Sequence, residues 1–145
     1  LQMFQLNNYA QLSARPPENR FSPALPLRTY SRGMGAMGLP GDLSSQSRFV
    51  RTAFTRLNSA SGTGVAEGAS QLFHILGAAG CCVLEDGSCE LTLYTSCCDA
   101  DTGVYYYTTY DSGHVSAVDM HREELDGAAL ISYPLDDVWQ VRLQN

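Results

Sequence analysis

Lysine is missing altogether: all nine basic residues among the 145 are arginines, set against fifteen acidic residues, for a formal net charge of −6. The arginines form no unbroken basic run and accompany no recognisable nucleic-acid-binding motif, so nucleic acid is not an expected partner. Long apolar stretches are lacking too. The run from Gly77 to Leu84 falls far short of the roughly 20 residues a membrane-spanning helix needs, and no membrane span is expected. Charged residues are scarce at 17% beside 44% hydrophobic ones. That balance supports a buried core and excludes intrinsic disorder, and the length suits one domain or a large piece of one. The chain opens on Leu1 without a basic stretch leading into an apolar one, so a processed or truncated N-terminus is expected.

What charge there is lies unevenly. Seven arginines (Arg15, Arg20, Arg28, Arg32, Arg48, Arg51, Arg56) face only Glu18 and Asp42 in the first 56 residues, a net +5, whereas the remainder carries −11. The two parts are expected to attract each other or to meet partners of opposite sign.

The five cysteines (Cys81, Cys82, Cys89, Cys97, Cys98) include two adjacent pairs, which suit neither disulfide geometry within a pair nor the usual two-to-four-residue spacing of zinc ligands. Reduced thiols in a cytoplasmic protein, mostly buried as small hydrophobes, are the expectation, with no metal or cofactor. The histidines (His74, His114, His121) stand apart from any metal-ligand pattern, and no G-x-S-x-G elbow recruits one as a base.

Residues 10–42 hold five of the six prolines and show no sustained hydrophobic period. A connection this long inside a compact domain usually covers a site or a neighbouring subunit, so it reads as an assembly or lid segment. Asp42 or Ser44 can then cap a helix from about Ser44 to Asn58, with Phe49, Val50, Ala53, Phe54 and Leu57 on one face. Leu72, Phe73, Ile75, Leu76 and Ala79 mark a second helix ending near Gly77 or Gly80, after which β character begins. Alternation predicts a strand over Leu91 to Cys98, a second over Val104 to Tyr110 and a third over Val115 to Met120, joined as a meander. Two further short strands are expected at Leu130 to Tyr133 and Val138 to Leu143.

Gly33 to Gly38 spells G-x-G-x-x-G, but no buried strand precedes it and Pro40 interrupts the helix that should follow. Tight turns with positive φ explain the glycines better. Arg48 and Arg51 lie in the first turns of the first predicted helix, away from its apolar stripe, and periodicity alone would leave both solvated.

The segment RGMGAMGLPGDLSSQSRFVRTAFTRLNS, residues 32–59, resembles the signature block of the choloylglycine hydrolase family, which includes bile salt hydrolases and penicillin V acylases. LNNYAQLS upstream, and SQLFHILG, LYTSCCD, GVYYYTTYD and LISYPL downstream, follow in the family's order. The resemblance implies that residues 1–145 are the C-terminal portion of a single domain, with the N-terminal half absent. It implies an α+β fold, part of a four-layer αββα N-terminal nucleophile hydrolase sandwich with antiparallel sheets and flanking helices.

In that family the mature first residue, a cysteine, attacks an amide. Its own α-amine, with a pKa near ~8, is the general base, arginine favours the thiolate, and asparagine with backbone N–H groups stabilises the oxyanion. Of these parts Arg48, the first arginine of SRFVR, matches the family's catalytic arginine, with Arg51 as the fallback. The remaining parts belong to the missing half. Leu1 cannot supply the thiol, and the internal cysteines have no free amine, so the chain alone is expected to be inactive. Asn7 and Asn8 are not the oxyanion asparagine, which in the family lies shortly before this chain begins. The implied substrate is a glycine- or taurine-conjugated bile salt, with penicillin V as the alternative within the family. The proline-rich segment resembles the family's assembly motif, so a cytoplasmic bacterial homotetramer is implied. A noncatalytic assembly or anion-binding module is the reading from outside enzymology. Isolation should leave apolar faces without neighbours, at Leu91, Leu93, Val104, Tyr106 and Val115 first.

Overall fold

A computed structural model of the chain describes residues 2–77, 82–83 and 86–145. The chain divides into two units, Leu1–Ala60 and Ser61–Asn145.

In the first unit a short helix α1 (Gln2–Asn7), which the sequence pattern did not reveal, packs on α2 (Ser45–Asn58). Between them the predicted irregular segment 10–42 contains only a 3-10 turn at Met34–Ala36. Helix α2 begins where expected because Ser44 is its N-cap, its side chain accepting the Ser47 N–H at 3.2 Å. It ends where Ser59 turns extended and bonds back to the Thr55 carbonyl at 2.6 Å. Val50, 1% exposed, sits at the centre of the predicted apolar stripe; Leu57 at its end is exposed. The glycine cluster makes turns, as read: Gly33 and Gly38 adopt φ of 79° and 95°. Gly35 is buried against Ser13 and Arg15, and a Cβ there would lie 2.0 Å from the Arg15 carbonyl oxygen.

The second unit opens with α3 (Val65–Leu76), which closes at Gly77, whose N–H reaches the Phe73 carbonyl at 2.8 Å. Its start is fastened by Glu67, which accepts from the Thr63 N–H at 2.8 Å and hydroxyl at 2.9 Å. Both bonds hold the Glu67 carboxyl below its ordinary pKa. Strands β1 (Cys82–Val83) and β2 (Cys89–Glu90) form a two-stranded antiparallel pair. The predicted meander follows as β3 (Tyr94–Asp99), β4 (Val104–Thr109) and β5 (Ser116–Asp119). Residues 91–93 precede the ladder, so β3 is shorter than the alternation suggested. Cys97 pairs with Tyr106 and Cys98 with Tyr105, which fixes two faces. Cys97 and Tyr106 join Val65, Gly68, Ala69 and Leu72 of α3 around a cavity of about 200 Å³. Tyr94, Tyr105, Tyr107 and Val118 line the opposite face with Ile131, Tyr133 and Leu135. Ala79, Gly80 and Cys81, part of the readings for the second helix's end and the start of β character, lie outside the described residues.

Two expectations are corrected. Leu130 to Tyr133 and Val138 to Leu143 are not strands, because neither finds a ladder partner among the described residues. Side chains hold this tail instead: the fully buried Ser112 bonds Asp136 Oδ2 at 3.1 Å, Thr109 donates to the Asp136 carbonyl at 2.5 Å, and the His114 ring meets the Gln140 carbonyl at 3.0 Å. Cys89 is disulfide-bonded, not a reduced thiol: adjacency disfavours a bond within a pair of neighbouring cysteines but leaves one between more distant cysteines open. Cys97 and Cys98 are free, Cys97 half-buried and Cys98 exposed. Burial, reinforced by the Cys98 neighbour, pushes the Cys97 thiol up.

Little of the apolar content is enclosed. Val50 is the one fully buried hydrophobic residue among the described residues, while Leu93, Tyr94, Val115, Trp139 and Leu143 are all more than half exposed. No helix of the described residues is long and apolar enough to cross a membrane.

Candidate functional site

The start of α2 carries both arginines singled out from the sequence, and it treats them differently. The local frame is set by Asp42, whose carboxylate accepts from the Ser44 N–H at 3.0 Å and from the Ser47 hydroxyl at 2.5 Å. These bonds, with the Ser44 and Ser47 side-chain contacts foremost, pull the Asp42 carboxyl down to about 2. A carboxylate at a helix N-terminus also complements the positive end of the helix dipole. Ser47 is 4% exposed, so its hydroxyl, which is further bonded to Ser44 Oγ at 3.1 Å, is satisfied inside the turn.

Arg51, one helical turn on, is engaged. One of its terminal nitrogens donates to the Pro40 carbonyl at 3.0 Å and to the Asp42 carbonyl at 2.7 Å. Its guanidinium thus bridges the helix and the loop that leads into it.

Arg48 is half-buried, and among the described residues its guanidinium meets only Ser45 Oγ, at 3.5 Å. A guanidinium carries five N–H donors in a planar fork and stays charged at any working pH. Arg48 therefore presents a fixed positive charge with donors to spare, whereas those of Arg51 are partly occupied by its own backbone. What the sequence did not reveal is the clasp around Asp42. The capping potential of Asp42 and Ser44 was legible, but the reach of Arg51 over nine and eleven residues to two carbonyls has no signature in spacing.

Of the remaining candidates, His74 is exposed, as expected. His114 supports the tail, and His121 lies in a 3-10 turn at Met120–Arg122, where Asp119 caps its N–H. The glycine cluster is engaged in turns and in the close approach of Gly35 to Arg15.

Comparison with known proteins gives this geometry a context. The sequence model of linear amide C–N hydrolases, choloylglycine hydrolase family, matches residues 1–133. A bile salt hydrolase/transferase of Lactiplantibacillus plantarum is 55% identical over 138 residues, covering 92% of this chain and 43% of that protein. One from Bifidobacterium longum is 36% identical over 134 residues, covering 90% of this chain and 42% of the relative. The crystal structure of a cysteine-to-alanine variant of the conjugated bile acid hydrolase from Clostridium perfringens superposes with a TM-score of 0.79 at 30% identity, covering 99% of this chain and 45% of that one. The chain thus spans less than half the length of each of these relatives. Over that span sequence and fold agree, and the chain belongs to the choloylglycine hydrolase family of linear amide C–N hydrolases.

Proposed function

We propose that this chain is the C-terminal half of a bacterial enzyme that hydrolyses the amide bond of glycine- or taurine-conjugated bile salts. The observation that carries the reading is the 55% identity with a bile salt hydrolase/transferase across nearly the whole chain. In this reading the remainder of the enzyme supplies an N-terminal cysteine, whose thiolate attacks the amide carbonyl while its α-amine takes the proton. The acyl group is then released to water, or to an amine in the transferase direction of the relative's name.

Arg48 is the catalytic residue this chain contributes. A fixed cation beside the thiol favours the thiolate, and its unoccupied donors orient the reacting groups. Ser45 Oγ at 3.5 Å leaves that fork available, and the involvement of Arg51 with Pro40 and Asp42 favours Arg48 over Arg51 for the role.

The proline-rich segment 10–42, irregular apart from Met34–Ala36, supports an assembly role in a homotetramer. A cytoplasmic setting agrees with the free thiols at Cys97 and Cys98, and the disulfide at Cys89 makes thiol titration of protein taken from cytoplasm the direct check on it.

The test of the catalytic assignment is release of glycine from glycocholate by the full-length enzyme. Arg48→Lys keeps the charge but loses the planar fork, and it should lower kcat/KM by about 100-fold. Arg51→Lys should be milder. The reverse ranking would move the role to Arg51.

A further inference from the structure

We propose that Asp42, Ser44, Ser47 and Arg51 form a clasp that sets the position of Arg48, with Arg51 a positioning residue acting through it. This inference rests on the catalytic role given to Arg48 above.

Each link from Arg51 to Arg48 is a hydrogen bond. Arg51 draws the Pro40 and Asp42 carbonyls toward the second turn of α2. With the backbone at Asp42 held, its carboxylate grips the Ser44 N–H and the Ser47 hydroxyl. Ser44 Oγ in turn bonds the Ser47 N–H and hydroxyl. The Ser44 carbonyl then accepts the Arg48 N–H at 3.0 Å, so the residue held by the clasp is the one that anchors the Arg48 backbone.

Two further features separate this arrangement from an ordinary helix cap. An N-cap needs one side-chain acceptor, and Ser44 already supplies it. The additional bonds from Asp42 and Arg51 restrain the loop as well as the helix, in the turn that holds Ser47 and Val50, both nearly inaccessible to solvent. The charges are also kept apart. Among the described residues no ion pair joins Asp42 to either arginine, because the carboxylate is directed at the helix start and Arg51 at carbonyl oxygens. The charge of Arg48 is left for the substrate side. Its own side chain has only the long contact with Ser45, so its aim depends on where the backbone places it.

The test uses the full-length enzyme with glycocholate, corrected for folded fraction by circular dichroism. Arg51→Met and Asp42→Asn should each lower kcat about ten-fold or more while KM stays within about threefold, since misplacing a catalytic group affects the chemical step more than binding. Arg56→Lys, at the exposed far end of α2, serves as the control and should leave kcat unchanged. In the Arg48→Lys background, Arg51→Met should cause less than about a twofold further loss, because its effect passes through the missing guanidinium. If Arg51→Met does not fold, Arg51→Lys carries the same cycle. Fully additive losses, or an unchanged kcat in both clasp variants, would overturn the positioning role. An unchanged kcat in Arg48→Lys alone would instead overturn the catalytic assignment of Arg48.

Discussion

The unit Leu1–Ala60 and the unit Ser61–Asn145 are built on opposite principles. The first carries a net charge of +5, contains no strand among its described residues, and owes its shape to side chains and glycines that bond backbone: Asp42 and Arg51 at α2, Asn19 on Ser22 and Leu25, Gly35 against Ser13 and Arg15. The second carries −11 and is organised by a backbone ladder, with β4 paired along both edges. Local bonds of the first kind fix a helix start and the side chains on it without a large core. A ladder of the second kind only becomes a stable layer when its faces are covered, and here Tyr94, Tyr105 and Leu93 remain exposed. In the proposed reading the first unit carries the catalytic arginine and the second contributes a layer to a larger fold.

The sharpest way to break this contrast is at Gly35. A methyl group there would meet the Arg15 and Ser13 carbonyl oxygens at 2.0 and 2.5 Å, both rigid backbone atoms. Gly35→Ala should destabilise the first unit by about 3 kcal/mol or more. Hydrogen exchange would show loss of protection at the Ser13 amide, which bonds the Gly35 carbonyl at 2.9 Å, with the β3–β4 amides unchanged. Equal loss in both units would mean that they are not separately organised.

The matching change in the second unit is Ser112→Ala. Removing this fully buried hydroxyl leaves Asp136 Oδ2 without its donor and should cost about 1–3 kcal/mol. Exchange should quicken at Val138, whose N–H bonds Asp136 Oδ1, while α2 is unaffected. A tail that stays protected would show that Thr109 and His114 suffice to hold it.

The smallest effect concerns acid. Asp42 titrates at about 2 in the folded chain against an ordinary 3.8, so the stability it contributes is complete above its unfolded pKa and is lost as pH falls through about 2. Glu67, lowered by Thr63, follows the same sign at the start of α3. Carboxyl-carbon NMR titration should find Asp42 still ionised at pH 3, with the Ser44 and Ser47 amide signals moving only as it protonates. A titration near 4 would mean that the clasp is not formed in solution.

Sequence reading worked where structure is decided locally. The Ser44 cap with Phe49, Val50, Ala53 and Phe54 marked out α2, and alternating β-formers marked out the meander, whose β3–β4 turn is closed by Thr102 on Asp99 and by Gly103 at φ 68°. It missed α1, which is short and carries no acidic residue in its first turn or basic one in its last. It overestimated Leu130 to Tyr133 and Val138 to Leu143, because β propensity states that a residue suits a sheet and not that a partner strand is present. At the site, periodicity left Arg48 and Arg51 equivalent on a solvated face. Resemblance to a family singled out Arg48, while the bonds of Arg51 to Pro40 and Asp42 depend on how the loop folds back and have no signature in spacing.

The central claim is that these residues form part of a larger fold whose remainder covers the exposed apolar faces. The most direct measurement is binding of a hydrophobic dye, together with sedimentation, for the 145-residue chain alone and after addition of the N-terminal half as a separate chain. The chain alone should bind dye and self-associate at micromolar concentration, and the added half should reduce both. A monomer that melts cooperatively without binding dye would contradict the account and show that the two units complete their own fold.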